Sequence, residues 1–353
     1  MPWGLLLAPS FIVFMGLSLL GLLSVFLSGG IFGVWFSLEL MFFGFIPILN
    51  GKTVSENEST IKYFVVQSIS SSILLVGFLL IIGDYSTMSY NQWWSMLGEV
   101  VVLLGFILKV GVFPMHFWFP GVMGGISWFS CFWLSVAQKI GPLWAISGLG
   151  MSSNMMNLFC FLLVATSVVG ALGGFAQVQF RPLLAYSSLG QSGWMGLICL
   201  LNLKVFMFYM TIYSIILGGL ICSLHMGNAY RLVEVPGWSD KITSSFWMIS
   251  GGFFLSLGGL PPLLGSSLKM VGVLTIISSY PGYLFILIGC AMFSLYYYLS
   301  VFISCMVCVG VGSSSIIDGM VFSQLGALPL SLMMVLNWLG GLPAFLVCSS
   351  LVV

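Results

Sequence analysis

The sequence has 353 residues, of which 60% are hydrophobic and only 5% are charged, and its formal net charge is +1. A mean hydropathy of +1.17 excludes an ordinary soluble globular domain, in which about 25% of residues are charged. The near-neutral charge balance gives no basic surface of the kind that binds nucleic acid. The apolar runs continue over about twenty residues, which favours an all-α polytopic membrane protein over a barrel of short alternating strands.

Length and helix-breaking residues predict about eleven transmembrane helices. Their expected bounds are 5–27, 31–49, 60–82, 98–119, 122–148, 156–177, 183–202, 205–228, 245–279, 282–309 and 323–350. The fourth helix is predicted to break after Lys109, where Gly111 and Pro114 follow. The ninth is too long for one simple span and carries GGLPPL at 258–263 in its middle. Backbone groups freed by such breaks are tolerated only where protein or water satisfies them.

The predicted helices suggest an internal repeat. Residues 1–150 would form a first five-helix unit, residues 151–310 a second, and residues 320–353 a final helix. Because five is odd, the second unit would be inverted relative to the first. The fourth member of each unit is the broken helix, and each carries one lysine, Lys109 or Lys269. Interrupted segments at matching positions of two halves indicate a transport site near the membrane midplane.

The distribution of positive charges predicts the orientation. One side of the predicted membrane carries five of the basic residues in the connections, whereas Lys204 stands on the other side; the five are Lys52, Lys62, Arg181, Arg231 and Lys241. The positive-inside rule places the first side, and with it the N-terminus, inside. An odd number of helices then puts the C-terminus outside. The N-terminal MPWGLLLAPSFIVF has no Lys or Arg, so neither a secretory signal nor a transit peptide is expected.

Five charged residues fall within the predicted spans: Glu39, Glu99, Lys109, Lys139 and Lys269. Glu99 lies near the start of its span and can reach the interface. A cation in the hydrocarbon costs roughly 2.5 kcal/mol or more, so the other four need a reason. Snorkelling along the side-chain stem is the simplest structural explanation for a lysine, but Lys109 is about ten residues from either end of its span. For Glu39 the simplest explanation is a structural ion pair.

The four buried charges are suited to proton exchange. A medium of low dielectric constant disfavours the charged form of both a carboxyl group and a lysine, whereas a neighbouring opposite charge favours it. A pair of Glu39 and Lys109 would therefore be a two-state element. Lysine at all three basic positions favours proton exchange over simple charge pairing, because arginine stays protonated. Polar residues that could hold water along a path are His116, Ser127, Gln138, Tyr186, Ser187, Ser188 and Gln191; His116 could equally cap the broken helix.

Bound cofactors and metals are not expected. The eight cysteines are scattered in apolar runs and there are only two histidines, so a zinc or iron–sulfur site is not predicted. The cysteines are interpreted as small hydrophobic residues. The sequence also has no glycine-rich phosphate loop in a strand–helix context and no Ser/His/Asp set. We therefore expect neither a metal nor a redox or nucleotide cofactor on this chain.

Several motifs resemble a known family. They are IKYFVVQS (61–68), KVGVFPMHFWFPGV (109–122), AQKIGPL (137–143), RPLLAYSSLGQSGWM (181–195) and SLGGLPPLLGSSLKM (256–270). In type and order they are similar to those of subunit 2 of NADH–ubiquinone oxidoreductase, respiratory complex I, in its mitochondrial form. The resemblance covers most of the chain from Glu39 to Lys269. Outside that range the likeness is one of hydropathy more than of motif.

The resemblance implies an antiporter-like subunit of a proton-pumping membrane arm in the mitochondrial inner membrane. It implies that Glu39 is the essential glutamate, Lys109 and Lys269 the broken-helix lysines and Lys139 the central lysine. NADH, FMN, iron–sulfur clusters and ubiquinone would be bound by other subunits. The implied partners are other membrane-arm subunits, accessory subunits and lipids such as cardiolipin. Gln191 stands where relatives often have histidine, which puts a histidine-mediated proton entry at the seventh helix in question.

Two other functions stay open at this point. One is a cation/proton antiporter subunit, which would share the fold. The other is a structural spacer of the membrane arm that moves no protons. Sodium-dependent proton flux without NADH would indicate the antiporter, and tolerance of neutral substitutions at all four buried charges would indicate the spacer.

Overall fold

A computed structural model describes residues 9–87, 92–227, 230–231, 244–312 and 333–352. Over these residues the chain is helical, and the extended structure described there is an isolated bridge between Gln179 and Arg231. The chain forms two compact units, Met1–Thr166 and Ser167–Val353, which divide within a helix, whereas the sequence placed the division at residue 150. Several residues placed in connections, and the start of the final predicted helix, lie outside the described residues: Glu234, Asp240, Lys241 and Asp318.

The described helices have between 6 and 34 residues. Those that begin in the first unit are α1 (Pro9–Leu27), α2 (Ile31–Leu49), α3 (Val54–Thr87), α4 (Gln92–Val110), α5 (Trp118–Met123), α6 (Trp128–Ser135), α7 (Ala137–Gly148) and α8 (Ser153–Gly174). The second unit continues with α9 (Phe180–Leu201), α10 (Leu203–Met226), α11 (Ser244–Gly258), α12 (Leu264–Ile276), α13 (Pro281–Gly312) and α14 (Gly341–Val352). Residues 333–339 are also helical.

Six helices in the described ranges are long and apolar enough to cross a membrane: α1, α2, α3, α8, α10 and α13. The chain is thus an all-helical protein of the membrane type. The apolar α11 and α12 have only 15 and 13 residues, fewer than the about 20 that a straight crossing needs. These two short helices together occupy the ninth predicted span.

Both segments predicted to be broken contain a helix end of the same kind. Helix α4 stops before Gly111 and α11 stops before Gly259, and each of these glycines has φ of 79°. The next amide closes the turn, from Val112 N to the Ile107 carbonyl oxygen at 2.9 Å, and from Leu260 N to that of Leu255 at 3.5 Å. This is the Schellman arrangement, which needs a left-handed residue that glycine adopts without steric cost. A cis-proline follows in both segments, at Pro114 and Pro262.

The fifth predicted helix differs from the expectation of one continuous span over 122–148. Helix α6 ends at Ser135, Val136 has φ −107° and ψ −71°, and α7 begins at Ala137. The Ser135 hydroxyl donates to the carbonyl of Cys131, and such bonds compete with the helix ladder. The continuous helix was therefore wrong at this point, and the interruption lies one turn before Lys139.

Helix α3 begins earlier than the predicted residue 60. Thr53 Oγ1 accepts a hydrogen bond from Glu56 N at 3.3 Å, and the Glu56 carboxylate accepts one from Thr53 N at 3.2 Å. This reciprocal pair is a capping box. It lets the helix start in polar sequence, where hydropathy alone gives no signal.

The first unit is held together by close helix pairs, α1 on α2 and α3 on α4, with α2 also packing on α3 and α7. Small residues allow the closest approach. A Cβ atom added to Gly44 would overlap the backbone of Ser18, and one added to Gly21 would overlap that of Met41. Small residues at helix contacts are the usual basis of association in membranes, where apolar surface alone gives little drive.

We expect Gly44→Ala to destabilise the protein by about 1–3 kcal/mol, because the added methyl group forces α1 and α2 apart. Gly16→Ala is the matched control, since a Cβ at Gly16 meets no atom within 4 Å. The measurement is the midpoint of thermal unfolding of the detergent-solubilised protein, followed by circular dichroism. Equal midpoints for the two variants would contradict the close α1–α2 contact.

Candidate functional site

A buried ion pair joins α2 to α4 in the first unit. Lys109 Nζ lies 3.6 Å from Glu39 Oε1, and the two side chains are 3% and 10% exposed. Among the described residues neither of these two atoms has a hydrogen-bond partner. The pair is therefore held by charge attraction at low solvent exposure. Lys109 also occupies the last turn of α4, where the helix dipole favours a cation.

The carbonyl groups left free at the end of α4 are satisfied by side chains. Gln67 Nε2 donates to the Lys109 carbonyl at 3.2 Å, and Trp118 Nε1 donates to the Leu108 carbonyl at 3.1 Å. The break thus meets the requirement that backbone groups inside a membrane be bonded within the protein. Sequence reasoning missed both residues, although Gln67 is a polar residue within the motif IKYFVVQS.

Lys139 lies in the same unit, near the start of α7. Its side chain is only 1% exposed, and its Nζ lies 4.6 Å from the centroid of the Phe119 ring. A cation over an aromatic face gains electrostatic stabilisation, and more so when desolvated. The helix break brings α5, and with it Phe119, to this position.

Gln138, next to Lys139, links three helices of the first unit. Its Oε1 accepts a hydrogen bond from the Tyr63 hydroxyl at 3.1 Å, and its Nε2 lies 3.5 Å from the Met41 carbonyl. Tyr63 belongs to α3 and Met41 to α2. Tyr63 was not singled out from the sequence, because its partner is 75 residues away.

The other two polar candidates of the first unit have different surroundings. Ser127 is the N-cap of α6: its Oγ accepts from Ser130 N at 3.4 Å and lies 2.9 Å from Ser130 Oγ. Its hydroxyl therefore has a local capping task. His116 is buried in the segment between α4 and α5, and its ring centroid lies 4.1 Å from that of Phe117. Its Nδ1 has no hydrogen-bond partner among the described residues.

Lys269 belongs to the second unit and lies on α12, after the second break. Its Nζ donates a hydrogen bond to the carbonyl of Gly258, the last residue of α11. The lysine thus reaches back across the break. The side chain is half-buried, and a Cβ at Gly259 would overlap its Cδ and Cε atoms.

A cavity of about 20 Å³ lies beside Lys269 within the second unit. Its lining includes two of the polar residues predicted from the sequence, Ser187 and Gln191. The other two predicted residues of α9 are not part of that lining: Ser188 is fully buried and donates to the Ala185 carbonyl at 2.8 Å, and the ring of Tyr186 packs on Gly173. The structure therefore brings three of the five candidates of this unit together.

Tyr297 and Tyr298 line this cavity, Tyr209 bonds one of its lining residues, and sequence reasoning missed all three. The Tyr209 hydroxyl donates to Gln191 Oε1 at 2.5 Å. Side-chain hydrogen bonds join Tyr298 to Ser187 and to Tyr297. The run of three tyrosines at 296–298 was the available signal, but only the fold shows which of them face inward.

The described side chains give no sign of a metal centre. No group of three or more His, Cys, Asp or Glu residues among them could hold a metal ion. The ionisable groups described above instead fall into two sets, one in each unit. The first unit contains Glu39, Lys109 and Lys139, and the second contains Lys269.

Comparison with known proteins places this arrangement in a family. A family model described as NADH:quinone oxidoreductase/Mrp antiporter, transmembrane, matches residues 28–295. NADH-ubiquinone oxidoreductase chain 2 of Branchiostoma lanceolatum is 33% identical over 316 residues, which are 87% of this chain and 88% of that protein. The chain 2 of Locusta migratoria is 32% identical over 281 residues, covering 78% of this chain and 79% of that one.

Solved structures share the fold at lower identity. A chain of respiratory complex I from Thermus thermophilus matches 95% of this chain and 79% of its own length, with a TM-score of 0.76 and 21% identity. A chain of the Mrp complex from Dietzia sp. DQ12-45-1b gives a TM-score of 0.74 at 17% identity, over 95% of this chain and 75% of that one. The family match and the curated relatives together show that the chain belongs to the NADH-ubiquinone oxidoreductase chain 2 family, within the antiporter-like membrane subunits.

Proposed function

We propose that this chain is a core membrane-arm subunit of NADH:ubiquinone oxidoreductase and that it translocates protons through Glu39, Lys109, Lys139 and Lys269. The observation that carries the proposal is the Glu39–Lys109 pair, buried at 3.6 Å beside a helix break. Ionisable groups within a membrane protein are costly and usually mark ion or proton pathways. The family membership supplies the electron-transfer reaction, which takes place in other subunits.

The interaction energy of such an ion pair is comparable to the energy needed to move a proton across the membrane. Moving one charge against the membrane potential costs about 2.3 kcal/mol per 100 mV. Two unit charges about 4 Å apart at an effective dielectric constant near 20 interact by about 4 kcal/mol. A change in the distance between Glu39 and Lys109 therefore alters the proton affinity of Lys109 by enough to drive loading or release. Lys139, held over Phe119, and Lys269 are the further carriers.

The polar residues predicted from the sequence have different roles in the proposed proton path. Gln138 and Gln191 have hydrogen bonds to tyrosine hydroxyls, so they hold oxygen atoms in place beside the lysines. His116 Nδ1 is buried and has no hydrogen-bond partner among the described residues, and a bound water molecule would satisfy it. Ser127 acts as a helix cap and contributes through the position of α6.

The architecture that we propose has eleven membrane crossings arranged as two inverted five-helix repeats and a last helix. The support is the shared local geometry of the two breaks, each of which has a left-handed glycine and a Schellman closure. The N-terminus would face the matrix and the C-terminus the intermembrane side. Lys52, Lys62 and Arg231 are exposed, as charges at a membrane surface should be.

The proposed partners and location follow from the family. We infer a place in the mitochondrial inner membrane, in contact with other membrane-arm subunits, accessory subunits and lipids such as cardiolipin. NADH, FMN, iron–sulfur clusters and ubiquinone would be used elsewhere in the complex. The first test is a native gel of gently extracted membranes with mass spectrometry of the band that holds this chain. A band that oxidises NADH and contains flavin and iron–sulfur subunits supports the proposal.

A cation/proton antiporter is the second candidate, and the fold shared with the Mrp complex favours it. It predicts a band without flavin subunits and a sodium-dependent proton flux in the absence of NADH. A structural spacer, the third possibility, predicts that all four buried charges can be neutralised without effect. The native gel and the sodium-dependent flux separate the antiporter from the proposed pump, and the two predictions below separate the spacer from it.

We expect Lys109→Met to leave the complex assembled and to impair coupled NADH–quinone turnover and proton translocation. Methionine keeps much of the stem and removes the titrating group, although it leaves the Glu39 carboxylate unpaired. The measurement is proton uptake per NADH oxidised in sealed vesicles. Lys62→Met, an exposed lysine of α3, is the control, and unchanged stoichiometry and rate in Lys109→Met would refute the role.

Lys109→Arg separates charge pairing from proton exchange. Arginine keeps the ion pair with Glu39 but stays protonated, so we expect normal assembly with proton translocation lost. Glu39→Gln should also stop translocation, whereas Glu99→Gln should not, because Glu99 binds the backbone and hydroxyl of Ser152. Full proton translocation in Lys109→Arg would show that Lys109 has only a structural charge.

A further inference from the structure

Lys269 is held differently from Lys109. Among the described carboxylates none lies within ion-pair distance of Lys269, whereas Lys109 has Glu39. The partner of Lys269 is the carbonyl of Gly258 at the end of α11. The carbonyl end of a helix carries partial negative charge. The end of α11 therefore takes the place that a carboxylate has in the first unit.

This partner suits a lysine that changes its protonation state. A charged ammonium group is attracted to the helix end, whereas a neutral amine keeps only an ordinary hydrogen bond. Gly259 has no side chain, so the stem of Lys269 lies directly along the break. Loss of a proton thus weakens the contact that holds the lysine on Gly258.

The cavity beside Lys269 has the properties of a water site. Its volume of about 20 Å³ exceeds the roughly 10–15 Å³ needed for one water molecule. A buried water needs two to four polar partners, and the lining offers Ser187, Gln191 and Tyr298 as well as Lys269. A Cβ at Gly190, also in the lining, would meet no atom within 4 Å, so there is open space beside α9.

Tyr298 connects this cavity to the helix end that holds Lys269. Its side chain is 1% exposed, and its ring lies 3.7 Å from the position of a Cβ on Gly258. Its hydroxyl is hydrogen-bonded to Ser187. The tyrosine is thus fixed between the break and the cavity wall.

We propose that the cavity holds the water molecule with which Lys269 exchanges its proton, and that Tyr298 and Ser187 position that water. The inference rests on the proposed function, because it takes Lys269 to be a proton carrier. In the step, an N–H bond of the ammonium group breaks, its electron pair stays on Nζ, and the proton bonds to the water oxygen to form hydronium. The neutral amine then leaves Gly258, and reprotonation by the same route returns it.

Filling the cavity is the first test. Gly190→Val places methyl groups in the open space without removing a polar group, and Gly289→Val is the control, because Gly289 lies outside the lining and a Cβ there also meets no atom within 4 Å. In the intact complex we expect Gly190→Val to slow proton translocation about a hundredfold, as when a proton-transfer partner is lost. Translocation at the parental rate in assembled Gly190→Val would overturn the proposal.

Tyr298→Phe is the second test, and it remains decisive if Gly190→Val fails to assemble. It removes one oxygen atom, and Tyr296→Phe, on the same helix and 63% exposed, is its control. We expect translocation about tenfold slower, the effect of one lost hydrogen bond, with a larger solvent deuterium isotope effect as proton exchange becomes rate-limiting. Parental rate and isotope effect in Tyr298→Phe would refute the positioning role.

Lys269→Met in the same assay separates the two levels of the hypothesis. If Lys269→Met translocates protons normally, Lys269 is no carrier and the proposed function fails at this residue. If Lys269→Met stops translocation while the Gly190 and Tyr298 variants are unaffected, the proposed function stands and the water site is wrong.

Discussion

The structure depends on how a membrane protein keeps charge and free backbone groups out of contact with hydrocarbon. Each unit solves this at a helix break. In the first, the carbonyls at the end of α4 are bonded by Gln67 and Trp118, and the ammonium of Lys109 faces the carboxylate of Glu39. In the second, a single group provides both the charge and the hydrogen bond, since the ammonium group of Lys269 donates to the last carbonyl of α11. The two breaks have the same backbone and different counter-charges.

This difference has a chemical meaning for proton transfer. The counter-charge of Lys109 is a side-chain carboxylate, whereas that of Lys269 is the carbonyl end of a helix. A helix end has no titratable group, and its attraction acts only on the charged form of Lys269. In the proposed mechanism, the first unit would therefore change the proton affinity of Lys109 through Glu39, and the second would change that of Lys269 by moving the lysine or its proposed water. The tyrosine-lined cavity supplies a place for that movement.

The features that sequence predicted are those marked by local chemistry. Charges within apolar runs indicated Glu39, Lys109, Lys139 and Lys269, and glycine and proline indicated the two breaks. The features that it missed depend on partners far along the chain. Gln67 and Tyr298 are ordinary polar residues until folding places them against Lys109 and Gly258. The interruption at Val136 has no glycine, and the capping box of α3 lies in polar sequence that hydropathy does not register.

The capping box also determines where α3 begins and therefore how long that helix is. Helix α3 has 34 residues and is therefore about 51 Å long, whereas the hydrocarbon core is about 30 Å thick. The helix must project or tilt, and its capped polar turn is the part suited to stand in water. Gln67 lies about 20 Å from Val54 along the axis of α3, and it donates a hydrogen bond to the Lys109 carbonyl at the end of α4. Helix α3 thereby fixes the distance between the aqueous phase and the break at the end of α4.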